Sequence, residues 1–263
     1  MSRSLACKVA IVVGAGAGIG RSTAIALAED GADVVVAARR SAPLEALAKE
    51  VGDMTGRKLL AVPTDALDRV QAEALVARTV SELGRVDVLV NVFTGGGGPR
   101  ASVVDMDWDG YLEAVHANIV ATLELAGLAA KRMAGTGGGA IINIGALSST
   151  TLIPKLGRYT STKAAMVSAS KTMAREVGRD GVRVNVVTPG FTKGAALDSM
   201  FEQLAERGGG DPEALKARAA KEAALRRHVD PEDIADAVVF LASDRARNIT
   251  GVELHVNAGQ WIG

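Results

Sequence analysis

Tyr159 and Lys163 stand four residues apart at the start of an amphipathic helical run, Tyr159-Thr-Ser-Thr-Lys163. Residues four apart share one face of a helix, so the phenol and the ammonium converge on one point. A free tyrosine titrates near about 10. A neighbouring cation and the positive end of a helix both favour the phenolate and are expected to draw that value toward neutrality. A phenol so tuned exchanges a proton with an alcohol or ketone oxygen. The pair alone is common on surface helices, so its meaning depends on what else the chain provides.

A glycine cluster provides the second half of the chemistry. Gly14-Ala-Gly-Ala-Gly18-Ile19-Gly20 directly follows the apolar run Val9-Ala-Ile-Val-Val13 and opens a helical stretch. Glycines there make a tight turn, let backbone approach a pyrophosphate and allow helix and strand to pack closely. The helix start adds unpaired N–H groups and a positive dipole end. Such a loop predicts a dinucleotide site, and a phenol beside nicotinamide implies hydride transfer between cofactor and substrate. A fold that prefers NAD places an acid at the end of the second strand, on the ribose 2′-hydroxyl. Here that place is Ala38, followed by Arg39 and Arg40, while Asp33 is at the strand's other end. An arginine suits a 2′-phosphate instead. The expectation is NADP(H) held by Arg39, with NAD(H) as the alternative if the two arginines are only solvated surface groups.

These groups need a scaffold, and the apolar pattern supplies one. Strand-length runs alternate with helix-length periodic segments: strands at Val9–Val13, Asp33–Ala37, Lys58–Val62, Asp87–Asn91, Ala140–Ile144, Val182–Val187 and Val252–Val256. Helices are expected from Ile19 to Asp30, Pro43 to Met54, Leu67 to Leu83, Tyr159 to Val177 and Pro231 to Ala242, with a long one before the fifth strand. The strands are continuously apolar, as when helices cover both faces of a parallel sheet. This predicts an α/β fold, a doubly wound, Rossmann-type parallel sheet in a single domain spanning residues 1–263. Thr192 to Val229 breaks the rhythm, with Gly208-Gly-Gly210 between two Ala-rich helical stretches and no expected sheet partner. It is expected to act as a lid.

Thirty basic and thirty acidic residues cancel, which predicts no nucleic-acid or membrane partner and leaves a small-molecule substrate. Cys7 is the only cysteine, so no internal disulfide is possible. Met1 to Cys7 lacks an apolar stretch of signal-peptide length, and the expected location is the cytoplasm. Aromatics are only 3%, so Ala, Val, Leu and Ile must fill the core.

Together these motifs make the chain resemble the short-chain dehydrogenase/reductase family almost end to end. The resemblance rests on Gly14, Gly18 and Gly20, Asp65 after the third strand, Asn118, Tyr159 and Lys163, Pro189-Gly190, and a tail from Asp230-Pro-Glu-Asp through Ile249-Thr-Gly251. It implies that Tyr159 is the proton donor or acceptor and that Lys163 holds the nicotinamide ribose. It further implies that Asn118 supports a proton relay through its helix backbone and that Asp65 contacts adenine. Asn91 would end the fourth strand beside the cofactor, and Pro189-Gly190 would run along the nicotinamide. A homo-oligomer, tetramer or dimer, is also implied.

The chain departs from that family in four places. Alanine, Ala146, stands where the catalytic serine is usual; Ser148, Ser149 or no serine at all are the replacements to weigh. Asn91-Val-Phe-Thr replaces Asn-Asn-Ala-Gly, placing Phe93 and the run Gly95–Gly98 near the substrate side. Gly194 stands where a threonine often follows the Pro-Gly turn, with Thr192 as the substitute. Asn257-Ala-Gly259 replaces Asp-Gly-Gly. The leading expectation is interconversion of a secondary alcohol and a ketone on an apolar substrate, with Phe93, Leu152, Ile153 and Met200 as pocket candidates. The alternatives are a catalytically weak dinucleotide-binding regulator, or the same fold performing epimerisation, dehydration or enoyl reduction.

Overall fold

The structure is a computed structural model and describes residues 3–95 and 100–262. Gly96, Gly97 and Gly98, expected to belong to a loop on the substrate side, lie outside the described residues.

Each apolar run forms a strand, and each periodic segment forms the helix that returns the chain. The first half comprises β1 (Val9–Val13), α1 (Gly18–Glu29), β2 (Asp33–Ala38), α2 (Ser41–Thr55), β3 (Leu59–Pro63) and α3 (Arg69–Leu83). After β4 (Val88–Asn91) come α4 (Trp108–Val115), a π-helical stretch (His116–Ala121) and α5 (Thr122–Ala134). Then follow β5 (Gly139–Ile144), the short α6 (Ser148–Thr151), α7 (Gly157–Val177) and β6 (Val182–Pro189). Helices α8 (Ala195–Gly208) and α9 (Pro212–Glu222) occupy the expected lid, before α10 (Pro231–Ala242) and β7 (Glu253–Val256).

The seven strands form one sheet in the order β3-β2-β1-β4-β5-β6-β7, and every neighbouring pair is parallel. A parallel sheet directs all carboxyl ends to one edge, and the order reverses beside β1, which opens a crevice there. Side chains alternate between the faces. Ala10 and Val12 pack with Leu27 and Ile234 under α1 and α10. Ile11 and Val13 pack with Leu75, Leu125 and Met133 under α3 and α5.

Three features depart from the expected pattern. The helix before β5 carries an inserted π stretch, and Asn118 lies inside it, 1% exposed. Strand β6 runs two residues past Val187, so Pro189 is its last residue. The lid does have a sheet partner: Thr192 pairs with Val229 in a parallel bridge, with Lys193 N donating to Val229 O at 2.9 Å. Its two ends are thereby pinned together at the sheet's carboxyl edge. The tail reinforces that root, since Gly190 N donates to Val256 O and Leu225 N to Ala258 O, both at 2.9 Å. The continuous run Trp108–Ala134 has the length and apolarity of a membrane span. Its residues Ala114, Leu125 and Met133 are nevertheless buried in the protein.

Candidate active site

The glycine loop builds the crevice beside β1. Gly14 N and Ala15 N donate to Ala37 O, tying the turn to β2. A Cβ on Gly20 would lie 2.2 Å from Gly14 O, so any larger residue would force α1 off the turn. Gly18 is different: its φ is +52° and a Cβ there would meet nothing within 4 Å. That is open space beside backbone N–H groups. The residue before α1 is Ala17, with no side-chain cap, so the first N–H groups of the helix face outward without a side-chain partner. Open space, a positive φ and an uncapped helix start fit a pyrophosphate.

At the end of β2, Arg39 and Arg40 are exposed. Asp65, after β3, is half-buried, and its Oδ1 accepts from Leu67 N at 3.1 Å. Asn91 ends β4 but is 2% exposed. Its Nδ2 donates to Asn143 Oδ1 at 2.8 Å and to Thr122 O at 3.4 Å, so the amide binds β4 to β5 and α5.

Beyond the loop, one largely apolar cavity of about 560 Å³ holds Tyr159, Lys163, Ser148, Ala146, Thr94, Ile19, Pro189, Gly190 and Thr192 in its walls. Ser148 is 7% exposed, and its Oγ has no hydrogen-bond partner. Ser149 is committed instead, donating to Ala146 O at 2.7 Å as the chain turns into α6. Of the two serines weighed against Ala146, Ser148 is the one with a free hydroxyl at the cavity.

Tyr159 is the third residue of α7, near its positive end. Contrary to the expected lowering, burial pushes its phenol above the ordinary value, and a hydrogen bond from Thr94 offsets only part of that. The Lys163 ammonium is 6.0 Å from the Tyr159 ring centroid and is itself spent elsewhere, donating to Ile144 O at 2.9 Å. Burial lowers Lys163 to about 8. Desolvation thus outweighs the helix end and the cation for both groups.

Asn118 determines how the walls meet. Its Oδ1 accepts from Thr94 Oγ1 at 3.0 Å and from Gly95 N at 3.1 Å. Its Nδ2 donates to Gly95 O and to Thr162 Oγ1, each at 3.0 Å. Thr162 is the neighbour of Lys163 on α7. One buried amide therefore fastens the loop after β4 to the helix that carries the tyrosine.

The lid supplies the opposite wall. Ala196, Leu197, Met200, Phe201 and Leu204 on α8 recur at helical spacing and face the cavity. Phe191, Phe201 and His228 cluster beneath them, with ring centroids 6.0–6.3 Å apart. Of the expected pocket candidates, Ile153 and Met200 line the wall. Leu152 is 70% exposed outside it. Phe93 packs on the other face of the sheet, against the core under α3 and α5. Thr94 and Arg100 were not singled out by sequence reasoning, and both line the wall. A second cavity, about 460 Å³, lies at the amino ends of the strands beside Lys8, Arg85 and Asp87. None of the site residues reaches it.

Comparison with known proteins agrees with this arrangement. Residues 14–260 match the family model described as Enoyl-(Acyl carrier protein) reductase. The chain is 34% identical over 258 residues to the short chain dehydrogenase/reductase astE of Aspergillus oryzae, covering 97% of this chain and 95% of that one. Among solved structures it is similar to the L-sorbose reductase of Gluconobacter frateurii complexed with NADPH and L-sorbose. The TM-score there is 0.91 at 30% identity, covering 99% of this chain and 98% of that chain. A 7α-hydroxysteroid dehydrogenase complexed with NADH and 7-oxo glycochenodeoxycholic acid gives 0.89 at 32% identity, covering 100% and 98%. The chain belongs to the short-chain dehydrogenase/reductase family. It is an oxidoreductase of the nicotinamide-dinucleotide class.

The position of Lys163 has a thermodynamic consequence. Its folded-state value, about 8, lies below the ordinary lysine value of 10.5, so between those limits the unfolded chain binds more protons. Stability of the ligand-free protein should therefore rise with pH across that window, relative to Lys163→Met. Urea unfolding of both proteins from pH 7 to about 10.5 measures this; a constant difference would mean the ammonium is not desolvated.

Proposed function

We propose that the protein interconverts a ketone and a secondary alcohol with NADP(H), with Tyr159 as the proton donor and acceptor. The observation that carries this reading is the shared cavity, where the Tyr159 phenol, the Lys163 ammonium and the unpartnered Ser148 hydroxyl meet beside Pro189-Gly190.

In this reading the glycine loop and the start of α1 hold the pyrophosphate, Arg39 the 2′-phosphate and Asp65 the adenine. Lys163 exchanges its bond to Ile144 O for the ribose hydroxyls, and Ile19, Pro189, Gly190 and Thr192 hold the nicotinamide end. When bound, the nicotinamide supplies or accepts the hydride at the substrate carbon. Tyr159 Oη gives a proton to the substrate oxygen in reduction and takes one back in oxidation. Ser148 Oγ donates a second hydrogen bond to that oxygen as charge develops on it. Burial keeps the phenol protonated at neutral pH, which suits a proton donor for ketone reduction. The positive charge of the oxidised cofactor would favour phenolate in the reverse direction. Thr94 has one hydroxyl proton, shared between Asn118 Oδ1 and the phenol oxygen, and it steadies the phenolate that proton transfer leaves behind. A free Ser148 hydroxyl in the cavity supports catalysis over a binding-only role.

The solved relatives act on unlike substrates, a sugar and a steroid acid, so the substrate class has to come from this chain's own pocket. Self-association is supported by an exposed stripe on and before α4: Val104, Trp108 and Leu112, four residues apart, are 87%, 61% and 63% exposed. Such stripes are commonly covered in assemblies.

Tyr159→Phe should lower kcat for ketone reduction by about a hundredfold or more while leaving the Kd for NADPH near that of the unmodified protein. Ser148→Ala should cost about tenfold to a thousandfold in kcat. Product analysis must show an alcohol; full activity in either variant contradicts the assigned role. Arg39→Ala should weaken NADPH about tenfold or more and leave NADH nearly unchanged, as fluorescence titration reads directly. Equal losses for both dinucleotides would refute the 2′-phosphate contact. Light scattering should give a mass of at least two chains, and a single-chain mass would refute self-association.

A further inference from the structure

Arg100 is the one charged residue besides Lys163 in the wall of the cavity, and no carboxylate among the described residues joins them there. It is half-buried, and among the described residues it makes no ion pair and no hydrogen bond. The surroundings make that arrangement costly. Lid residues such as Leu197, Met200 and Phe201, together with Ile153 and Leu156, form an apolar wall, against which a permanently charged guanidinium loses hydration and regains nothing. Lys163 cannot share the task, because its ammonium is already bound to Ile144 O. Arg39, the residue suited to the cofactor's 2′-phosphate, lies at the end of β2 and outside the cavity wall.

An isolated cation at the rim of an apolar chamber is a recognition element. Five N–H donors in a planar fork match a carboxylate with two parallel bonds. We propose that Arg100 is an anion subsite, and that the substrate is a carboxylic acid whose ketone or alcohol sits at Tyr159 and whose apolar body lies under the lid. The proposal rests on the ketone–alcohol reading above, and it narrows the substrate from any apolar ketone to an apolar keto acid or hydroxy acid. The acid group takes no part in hydride or proton transfer; it fixes which end of the molecule points away from the nicotinamide. Because the fork sits on the wall opposite no acid of its own, a neutral substrate of the same shape leaves it unpaired, and the site discriminates against that substrate.

Oxodecanoic acids differing in the position of the ketone, each paired with its methyl ester, test this directly. With NADPH saturating, the best acid should exceed its ester in kcat/KM by about tenfold or more. Arg100→Met should bring that ratio to near one by lowering the acid alone, with the ester's rate and the Kd for NADPH unchanged. Arg100→Lys should keep part of the preference, since it restores charge without the fork. A ratio unaltered in Arg100→Met, or an ester preferred by the unmodified protein, overturns the proposal. A weaker Kd for NADPH in Arg100→Met overturns it as well, by making Arg100 a cofactor residue. Calorimetric binding of decanoate and methyl decanoate to the NADPH complex separates this question from catalysis. If no ketone is reduced but decanoate alone binds, and binds only while Arg100 is present, the ketone reading fails and the anion subsite stands. If neither or both bind alike in the unmodified protein, the subsite fails regardless of activity.

Discussion

The buried amide of Asn118 is the junction on which the geometry of the site depends. An amide offers two donors and two acceptor positions, and burying one without partners costs more than most single contacts return. Here all are met, by Thr94, Gly95 and Thr162. Those partners come from the loop after β4 and from α7, which belong to different βα units. The amide therefore turns two independently folded pieces into one wall, with Thr94 and Tyr159 on the same cavity. A fully satisfied polar network in a low-dielectric setting is rigid because every alternative leaves a group unpaired. The π stretch around Asn118 belongs to the same solution, since an inserted residue redirects side chains within an otherwise continuous helix.

The same accounting explains the burial of charge and hydroxyl at the site. Lys163 and Tyr159 are both moved by desolvation away from their ionised forms. In the ligand-free protein the phenol keeps its proton and the ammonium holds its proton less tightly. Neither shift is a defect of the fold. Each is a cost carried by the folded protein, offset by the sheet and its two apolar faces, and relieved when polar groups of a ligand enter.

Much of this was legible in the sequence, for reasons that differ by element. Continuous apolar runs gave the strands to within a few residues, because a strand covered on both faces has no polar side to blur its limits. Tyr159, Lys163, Ser148 and Thr192 reach one cavity, and their order along the chain had placed them near the carboxyl ends of β5 and β6. Phe93 was expected at the substrate side yet packs under the opposite face. Strand parity contained the answer: Val88 and Val90 face one core and Leu89 the other, so Val92 continues toward the cavity and Phe93 away from it. The π stretch left no comparable trace, since one inserted residue does not disturb an apolar period that is already broad. The choice between Ser148 and Ser149 was equally silent, because it depends on which hydroxyl a short turn uses for its own carbonyl.

Arg100 shows where sequence patterns stop informing. It follows a glycine run, belongs to no periodic element and matches no motif, so its type and spacing say nothing. Its meaning comes from what surrounds it, an apolar wall, a lid and a second cation already engaged. Charge placed without a partner inside a chamber built to exclude water is a larger energetic statement than any neighbouring apolar contact. A fold that keeps such a charge beside its reactive tyrosine is complementary to a molecule with an acid at one end and a reducible carbon at the other. On that reasoning the cofactor half of the crevice follows the general architecture of parallel sheets, whereas the substrate half is written in loop and lid residues that only the assembled structure brings together.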